Sequence, residues 1–446
     1  MKFFHGGEPR ARLRAVALVA ALGISALPAC SGNDNARNHP GSGGSGGSSG
    51  AGGAGTGGTG GLAGAGGSGG QGVSLKPFTK VPDPGAGAIW FAASGEVLAL
   101  TGYPFPPANA GDPAFVDGWD LKFSHLLVTV DKVKISENPD TVPGDESKTG
   151  KLVGEVDGPW AIDLSYSDPG YLPGKGGAGE EAVPFAALKN QNKNGGAAFK
   201  TDGSRYAFGF DDVAATSNAM NVNLDQEALA DYQQMIDQQC VVLYDGTATF
   251  KGDASCNSDA EYADWPSTVH FMLCFKSPTS YINCQNPDND PAAPLGNEEH
   301  QRGIAPSATT SSVAQVTFHT DHPFWDSVLH DSPAHFDQFA AQLAGSTDAN
   351  PTVTLAMVQG KDYTAMTDAH GNALTWRYCM APPTDVHAQF AGAMAFDPQS
   401  VPHATGNDPS TGLRDYDDFT TYNQSTQGHL NSDGLCFVKR NYPSPQ

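Results

Sequence analysis

The chain predicts a mainly β, sandwich-like fold of one or two β-rich domains, with a few short helices and disulfide staples. Three observations predict it. Apolar residues recur at every second position in short runs punctuated by Gly, Pro, Asn and Asp; one segment has a strong helical period; and six cysteines fall in the second half of a chain that begins with an export signal.

Taken in order, Ala88 to Ala93 and Val97 to Thr101 flank Ser94-Gly95-Glu96 and read as a hairpin. Trp119, Leu121 and Phe123 alternate with polar residues, and Leu126, Val128 and Val130 continue before Val133 and Ile135 shift register, which predicts one long bulged strand or two successive ones. Trp160 to Leu164 and Tyr206 to Phe210 are further strands. Leu224, Ala228, Leu229, Tyr232, Met235 and Ile236 share one helical face opposite Asp225, Glu227, Asp231 and Gln234, so a helix is expected to lie across a sheet. Val241 to Tyr244 and Thr247 to Phe250 flank Asp245-Gly246, a type I′ hairpin signal. Later strands are expected near Val269 to Phe275, Val313 to His319, Thr352 to Val358, Leu374 to Tyr378 and Cys436 to Lys439. If the folded region divides, the division falls between residues 75–215 and 216–446.

The N-terminus carries Lys2, Arg10, Arg12 and Arg14 against a single Glu8, then an apolar run from Ala15 to Ala29 that is short for a membrane-spanning helix. Residues 1–29 therefore read as a secretory signal. Leu27-Pro28-Ala29-Cys30 resembles a bacterial lipobox, which implies lipidation of Cys30 and anchoring in the membrane; Ser31 after it is similar to the outer-membrane sorting pattern. Residues 30–74 are Gly/Ser-rich and read as a flexible tether, and a coil of roughly 40 such residues spans about 35 Å. Removing residues 1–29, which carry net +3, takes the chain from −23 to −26. Such acidity excludes an electrostatic footprint for nucleic acid. Expected partners are the membrane, through the lipid, and a protein or glycan that the sequence does not name.

Apart from Cys30, the cysteines are Cys240, Cys256, Cys274, Cys284, Cys379 and Cys436. An even number in an exported chain implies disulfides, and no C-x-x-C spacing favours zinc or redox chemistry. Six cysteines allow 15 pairings. The expectation is the near-neighbour set: Cys240 with Cys256, Cys274 with Cys284, and Cys379 with Cys436.

The series Gly118-Trp119-Asp120-Leu121-Lys122-Phe123, then Leu126 to Val130 and Gly158 to Leu164, resembles the opening strands of uncharacterised bacterial β-sandwich lipoproteins, and the lipobox with its Gly/Ser tether is similar to that of many lipoproteins from myxobacteria. The resemblance covers the tether and the first third of the folded region. It implies location and fold class.

Chemistry concentrates between Phe318 and Asp337, a window holding four of the 13 histidines. Pro323, after Asp321, and Pro333, after Ser332, are placed to begin two short capped helices. On the first, Asp326 and His330 share a face, while His319 and His322 lie at the strand-to-helix junction and His335 stands in reserve. Neutral imidazoles and carboxylates in this pattern suit Zn²⁺ or Cu²⁺; H-E-x-x-H is absent, and the competing reading is a pair of capped helices whose histidines bond backbone or water. Ser332, between Asp331 and Pro333, is nothing like the G-x-S-x-G nucleophile elbow. Glu180-Glu181 and Glu298-Glu299 read as solvated loop charge, Asn286 to Asp290 lacks the glycine and glutamate of a calcium loop, and Trp325, Trp376 and Tyr378 read as core before glycan platform. With no catalytic signature complete, the expected function is a noncatalytic binding or structural module of the cell envelope; the alternative is a metal-binding protein or metal-dependent enzyme.

Overall fold

The structure, a computed structural model, describes residues 73–109, 112–175, 177–253, 255–257, 260–286, 300–326, 332–363, 365–380, 413–426 and 436–441. The expected signal segment, Cys30, the expected tether as far as residue 72, Glu298-Glu299 and His330 lie outside them. The strands are β1 (Lys76–Pro77), β2 (Ile89–Ser94), β3 (Trp119–Glu137), β4 (Leu152–Val156), β5 (Trp160–Asp163), β6 (Leu172–Pro173), β7 (Glu181–Leu188), β8 (Tyr206–Asp212), β9 (Met220–Asn221), β10 (Val242–Phe250), β11 (Thr268–Phe275), β12 (Thr279–Ile282), β13 (Ser312–Thr317), β14 (Thr352–Thr354) and β15 (Phe437–Arg440). The helices are α1 (Glu96–Thr101), α2 (Gln226–Gln238), α3 (Asp337–Ala340) and α4 (Tyr416–Gln424).

The alternation that begins at Trp119 yields one continuous strand, β3, and the register shift lies where the apolar pattern changes phase. Pairing with β8 slips between Asp131 and Lys134, and Lys132 has φ 47°. The extra residue returns Val133 and Ile135 to the buried face already occupied by Leu126, Val128 and Val130. β3 is the spine of an 11-stranded mixed sheet whose main path runs β1-β9-β5-β3-β10-β11-β14, with β4, β8, β12 and β15 joined at its far half. A second sheet, β13-β2-β7-β6, supplies Ile89, Phe91, Phe185 and Val316 to the same core, and Trp160 meets Phe185 with ring centroids 5.0 Å apart. The fold is thus mostly β, with short helices. Because β3 pairs with β10 along nine residues, one sheet runs across residue 215 and joins the two halves considered above.

α2 forms where its period places it. Asp225 caps it by accepting from the backbone N–H groups of Glu227 and Ala228, and Ala228, Tyr232 and Met235 cover Leu127, Ala161 and Leu243 on the outer face of the large sheet.

Several elements differ from expectation. Val97 to Thr101 is helical because β2 already has β13 on one edge and β7 on the other, leaving no edge for a hairpin partner. Asp245-Gly246 lies within β10, not in a turn, opposite a bulge on β3 whose extra residue is Ser124: a Cβ on Gly246 would lie 2.2 Å from the carbonyl oxygen of Lys122, so the glycine serves close backbone approach. β14 stops at Thr354, where a 3₁₀ turn takes over. The stretch from Leu374 to Tyr378 forms no strand and buries Arg377 instead of its apolar neighbours. Around Pro323 the described residues form a 3₁₀ turn, His322–Phe324, and the Asp321 side chain makes no capping bond. The second helix starts at Asp337, not Pro333, since Ala334 is held extended between Phe115 and Trp325.

All six cysteines pair, but in a different set from the near-neighbour one. The bonds are Cys240–Cys274, Cys256–Cys379 and Cys284–Cys436. Strand adjacency decides two of them: Cys240 precedes β10 and Cys274 lies in its antiparallel neighbour β11, while Cys284 follows β12 and Cys436 precedes its antiparallel neighbour β15. Cys379 is placed by its N–H bond to the carbonyl of Val116, beside Gly118 and Gly252.

Candidate metal centre

β13 delivers the His-rich segment by running parallel to β2, a pairing prolonged by the N–H of Phe318 donating to the carbonyl of Ser94 at 2.8 Å. The chain then leaves the sheet, and four neighbours fix it. Tyr103 and Thr320 hydroxyls meet at 2.6 Å, the Tyr244 hydroxyl donates to the His319 carbonyl at 3.1 Å, Glu96 Oε1 lies 3.1 Å from His319 Nδ1, and Thr426 Oγ1 lies 2.6 Å from His322 Nδ1. α4 braces the turn through Thr420, whose hydroxyl donates to the Pro323 carbonyl.

Within this frame His319, Asp321 and His322 each place one ligand atom so that all three lie within 4.8 Å of one another. The two imidazole rings stack at 4.9 Å, and the His322 ring also lies 3.9 Å from that of Trp325. Held by their faces, the rings present their edges. Trp325 Nε1 donates to Asp321 Oδ2 at 3.2 Å. Desolvation pushes the Asp321 carboxyl up to about 6, against the pull of His319 and with help from the negative Glu96. A half-buried carboxylate that water stabilises poorly, beside two imidazoles, is a donor set suited to a borderline divalent metal.

The expected ligand set is therefore divided. His319 and His322 come together, joined by Asp321, which the sequence suggested only as a cap, and backed by Glu96. Asp326 goes elsewhere, because Trp325 is extended and no helix carries Asp326 round to the histidine face. It joins the reserve ligand: His335 lies 3.4 Å from Asp326 Oδ2 through Nε2 and 3.8 Å from Asp117 Oδ2 through Nδ1, and all three side chains are at most 1% exposed.

That sealed cluster continues inward. Asp117 Oδ2 accepts from the N–H groups of Phe336 and Asp337 at 2.6 and 2.8 Å, and Asp337 is paired with Arg377. Desolvation, then the negative Asp337, push Asp117 up to about 7, against the opposite pull of His335 and Arg377. A carboxyl with a folded pKa above its unfolded value contributes stability that is complete below the unfolded value and disappears as pH rises through the folded one. Stability measured by urea unfolding should therefore fall from about pH 5 to about pH 8 more steeply in the parent than in Asp117→Asn. Equal slopes would show that Asp117 does not titrate there.

A second grouping, unseen in the sequence, lies on the outer face of the large sheet: His125, Asp231 and Asp245 also bring one ligand atom each to within 4.8 Å of one another. It escapes sequence reading because its members come from β3, α2 and β10. The remaining candidates are structural. Glu180 is buried, not solvated, and accepts from Ser94 Oγ at 2.6 Å and Gln315 Nε2 at 2.8 Å. Asn286 bonds Val313 and Gln315 of β13, and residues 287–290 of the proposed calcium loop lie outside the described residues. Trp325 is buried, and the Trp376 and Tyr378 rings stand edge-on to His335.

No family model, curated protein or solved structure matches this chain.

Proposed function

We propose that this chain is an exported protein of the bacterial cell envelope, lipid-anchored through Cys30 and directed to the outer membrane, and that its folded unit is a noncatalytic binding module whose ligand is Zn²⁺ or Cu²⁺ held by His319, Asp321 and His322. The observation that carries the metal reading is the convergence of two imidazoles and one carboxylate within 4.8 Å at the end of β13. Each imidazole already engages a neighbouring oxygen through Nδ1, Glu96 for His319 and Thr426 for His322, which is how outer groups orient metal-ligating histidines. The ligand nitrogen is then Nε2 in both. A three-ligand site leaves a position for water or for a partner's donor atom. The anchoring half rests on the signal layout, Cys30 and the Gly/Ser tether.

One preparation tests both halves. Full-length protein expressed in a Gram-negative host and purified in detergent without chelator should carry Zn or Cu close to one per chain by elemental analysis, lost on His319→Ala/His322→Ala. Its mature N-terminus by mass spectrometry should be a diacylated or triacylated Cys30, with Cys30→Ser recovered from the soluble fraction. Unchanged metal content in the histidine variant would remove the metal reading; an unmodified N-terminus beginning elsewhere would remove the anchor.

A further inference from the structure

The grouping around His125 gathers imidazoles and carboxylates from three strands and a helix. β3 and β10 run antiparallel with Leu127 opposite Leu243 and, two residues along the same face, His125 opposite Asp245. The leucines lie under α2; the His/Asp pair meets α2 at Asp231, whose Oδ2 lies 2.7 Å from His125 Nδ1. The next strand adds His270: paired opposite Thr247, it stands diagonal to Asp245 and reaches Asp245 Oδ2 through Nε2 at 3.0 Å. A bulge on β3, whose extra residue Ser124 directly precedes His125, falls opposite Asp245 and Gly246, at the point where a bulge re-aims a side chain.

Two imidazoles and two carboxylates thus face one another. Neighbours hold them: Gln234 Nε2 donates to Asp231 Oδ1 at 3.2 Å, and Thr352 Oγ1 lies 3.3 Å from His270 Nδ1. Three of the four side chains are sunk, at 12%, 16% and 8% exposure for His125, Asp231 and Asp245, while His270 at 34% forms the side open to solvent. The buried Asp163 adds a further negative charge nearby.

The geometry points to a second divalent-metal site, of Zn²⁺-like borderline character, formed by His125, Asp231, Asp245 and His270 and clamping α2 to the sheet. It shares no residue with the site at His319, Asp321 and His322 and stands or falls without it.

The test is isothermal titration of zinc chloride into the detergent-solubilised full-length protein after chelator treatment and dialysis. The parent should take up two ions per chain. His125→Ala/His270→Ala should take up one, and His319→Ala/His322→Ala should also take up one, but from the other site. Zinc uptake by the His125/His270 variant equal to that of the parent overturns the inference, whatever the parent's stoichiometry. Uptake by the His319/His322 variant equal to that of the parent instead overturns the earlier proposal and leaves this one standing. Should the His125/His270 variant not fold, Asp245→Asn keeps the shape of the side chain and an acceptor for His270. It should weaken one zinc site by at least about tenfold with an unchanged circular dichroism spectrum; undiminished affinity there is equally fatal.

Discussion

Arg377→Met should destabilise the folded unit by about 3–5 kcal/mol, the cost of leaving a buried carboxylate without its cation. Asp337 is fully buried, and Arg377 meets it from two directions: the backbone N–H donates to Oδ2 at 2.9 Å and the guanidinium Nε donates to Oδ1 at 3.0 Å. Trp119 Nε1 adds a bond to Oδ1 at 2.9 Å. The guanidinium itself is enclosed by rings, 4.0 Å from the Phe250 centroid, 4.8 Å from Trp265 and 5.0 Å from Tyr262. Methionine fills the cage and keeps the backbone N–H bond to Oδ2, but it offers Asp337 no positive charge and no side-chain donor. Removing both charges should recover much of the loss, so Arg377→Met/Asp337→Leu is expected to be more stable than Arg377→Met alone. Urea unfolding followed by fluorescence measures all three, the buried tryptophans serving as the probe. A loss below about 1 kcal/mol in the single variant would mean that the remaining bonds from Trp119 and the backbone suffice for Asp337.

What the sequence disclosed of this arrangement depended on range. β3 was legible from Trp119 to Ile135, as one long strand or two, because its alternation is a property of the local backbone, and even its phase change at Lys132 is written in the apolar pattern. α2 was legible for the same reason, through one apolar stripe opposite a polar face, whereas the capping role of Asp225 emerges from the structure. Features that depend on which strands become neighbours were not legible. Gly246 reads as a turn residue in isolation, whereas its role is to let β3 approach. Cys240 and Cys256 are close in sequence, yet the β10–β11 ladder gives Cys240 to Cys274. At the candidate centre the His-rich window disclosed His319 and His322. It could not disclose that Trp325 ends the turn and sends Asp326 to His335, nor that Glu96 would arrive from α1. The grouping at His125, Asp231, Asp245 and His270 draws on three strands and a helix, and no window contains it.

The Cys256–Cys379 bond is expected to contribute on a scale similar to the Arg377–Asp337 pair, and the two effects should not add. The bond joins residues 123 apart. Closing a loop of that order lowers the entropy of the unfolded chain by an amount worth about 4–5 kcal/mol, so Cys256→Ser/Cys379→Ser should lose about 3–5 kcal/mol once native relaxation is allowed for. Cys379 also lies two residues beyond Arg377, on a stretch that has no strand partner and is held by its N–H bond to the Val116 carbonyl and by the disulfide. Without the disulfide, that stretch can withdraw and take Arg377 from its ring cage, so part of the pair's stability is lost in the serine variant already. Adding Arg377→Met to Cys256→Ser/Cys379→Ser should then cost less than Arg377→Met costs in the parent, by a coupling of about 0.5–3 kcal/mol. The double-mutant cycle is measured by urea unfolding of protein refolded under oxidising conditions. Strict additivity, within about 0.5 kcal/mol, would show that the disulfide acts only on the unfolded chain and that the cage of Phe250, Trp265 and Tyr262 positions Arg377 by itself. Coupling of the expected sign would mean that correct placement of a buried charge depends on oxidation, which ties the folding of this acidic chain to an oxidising compartment.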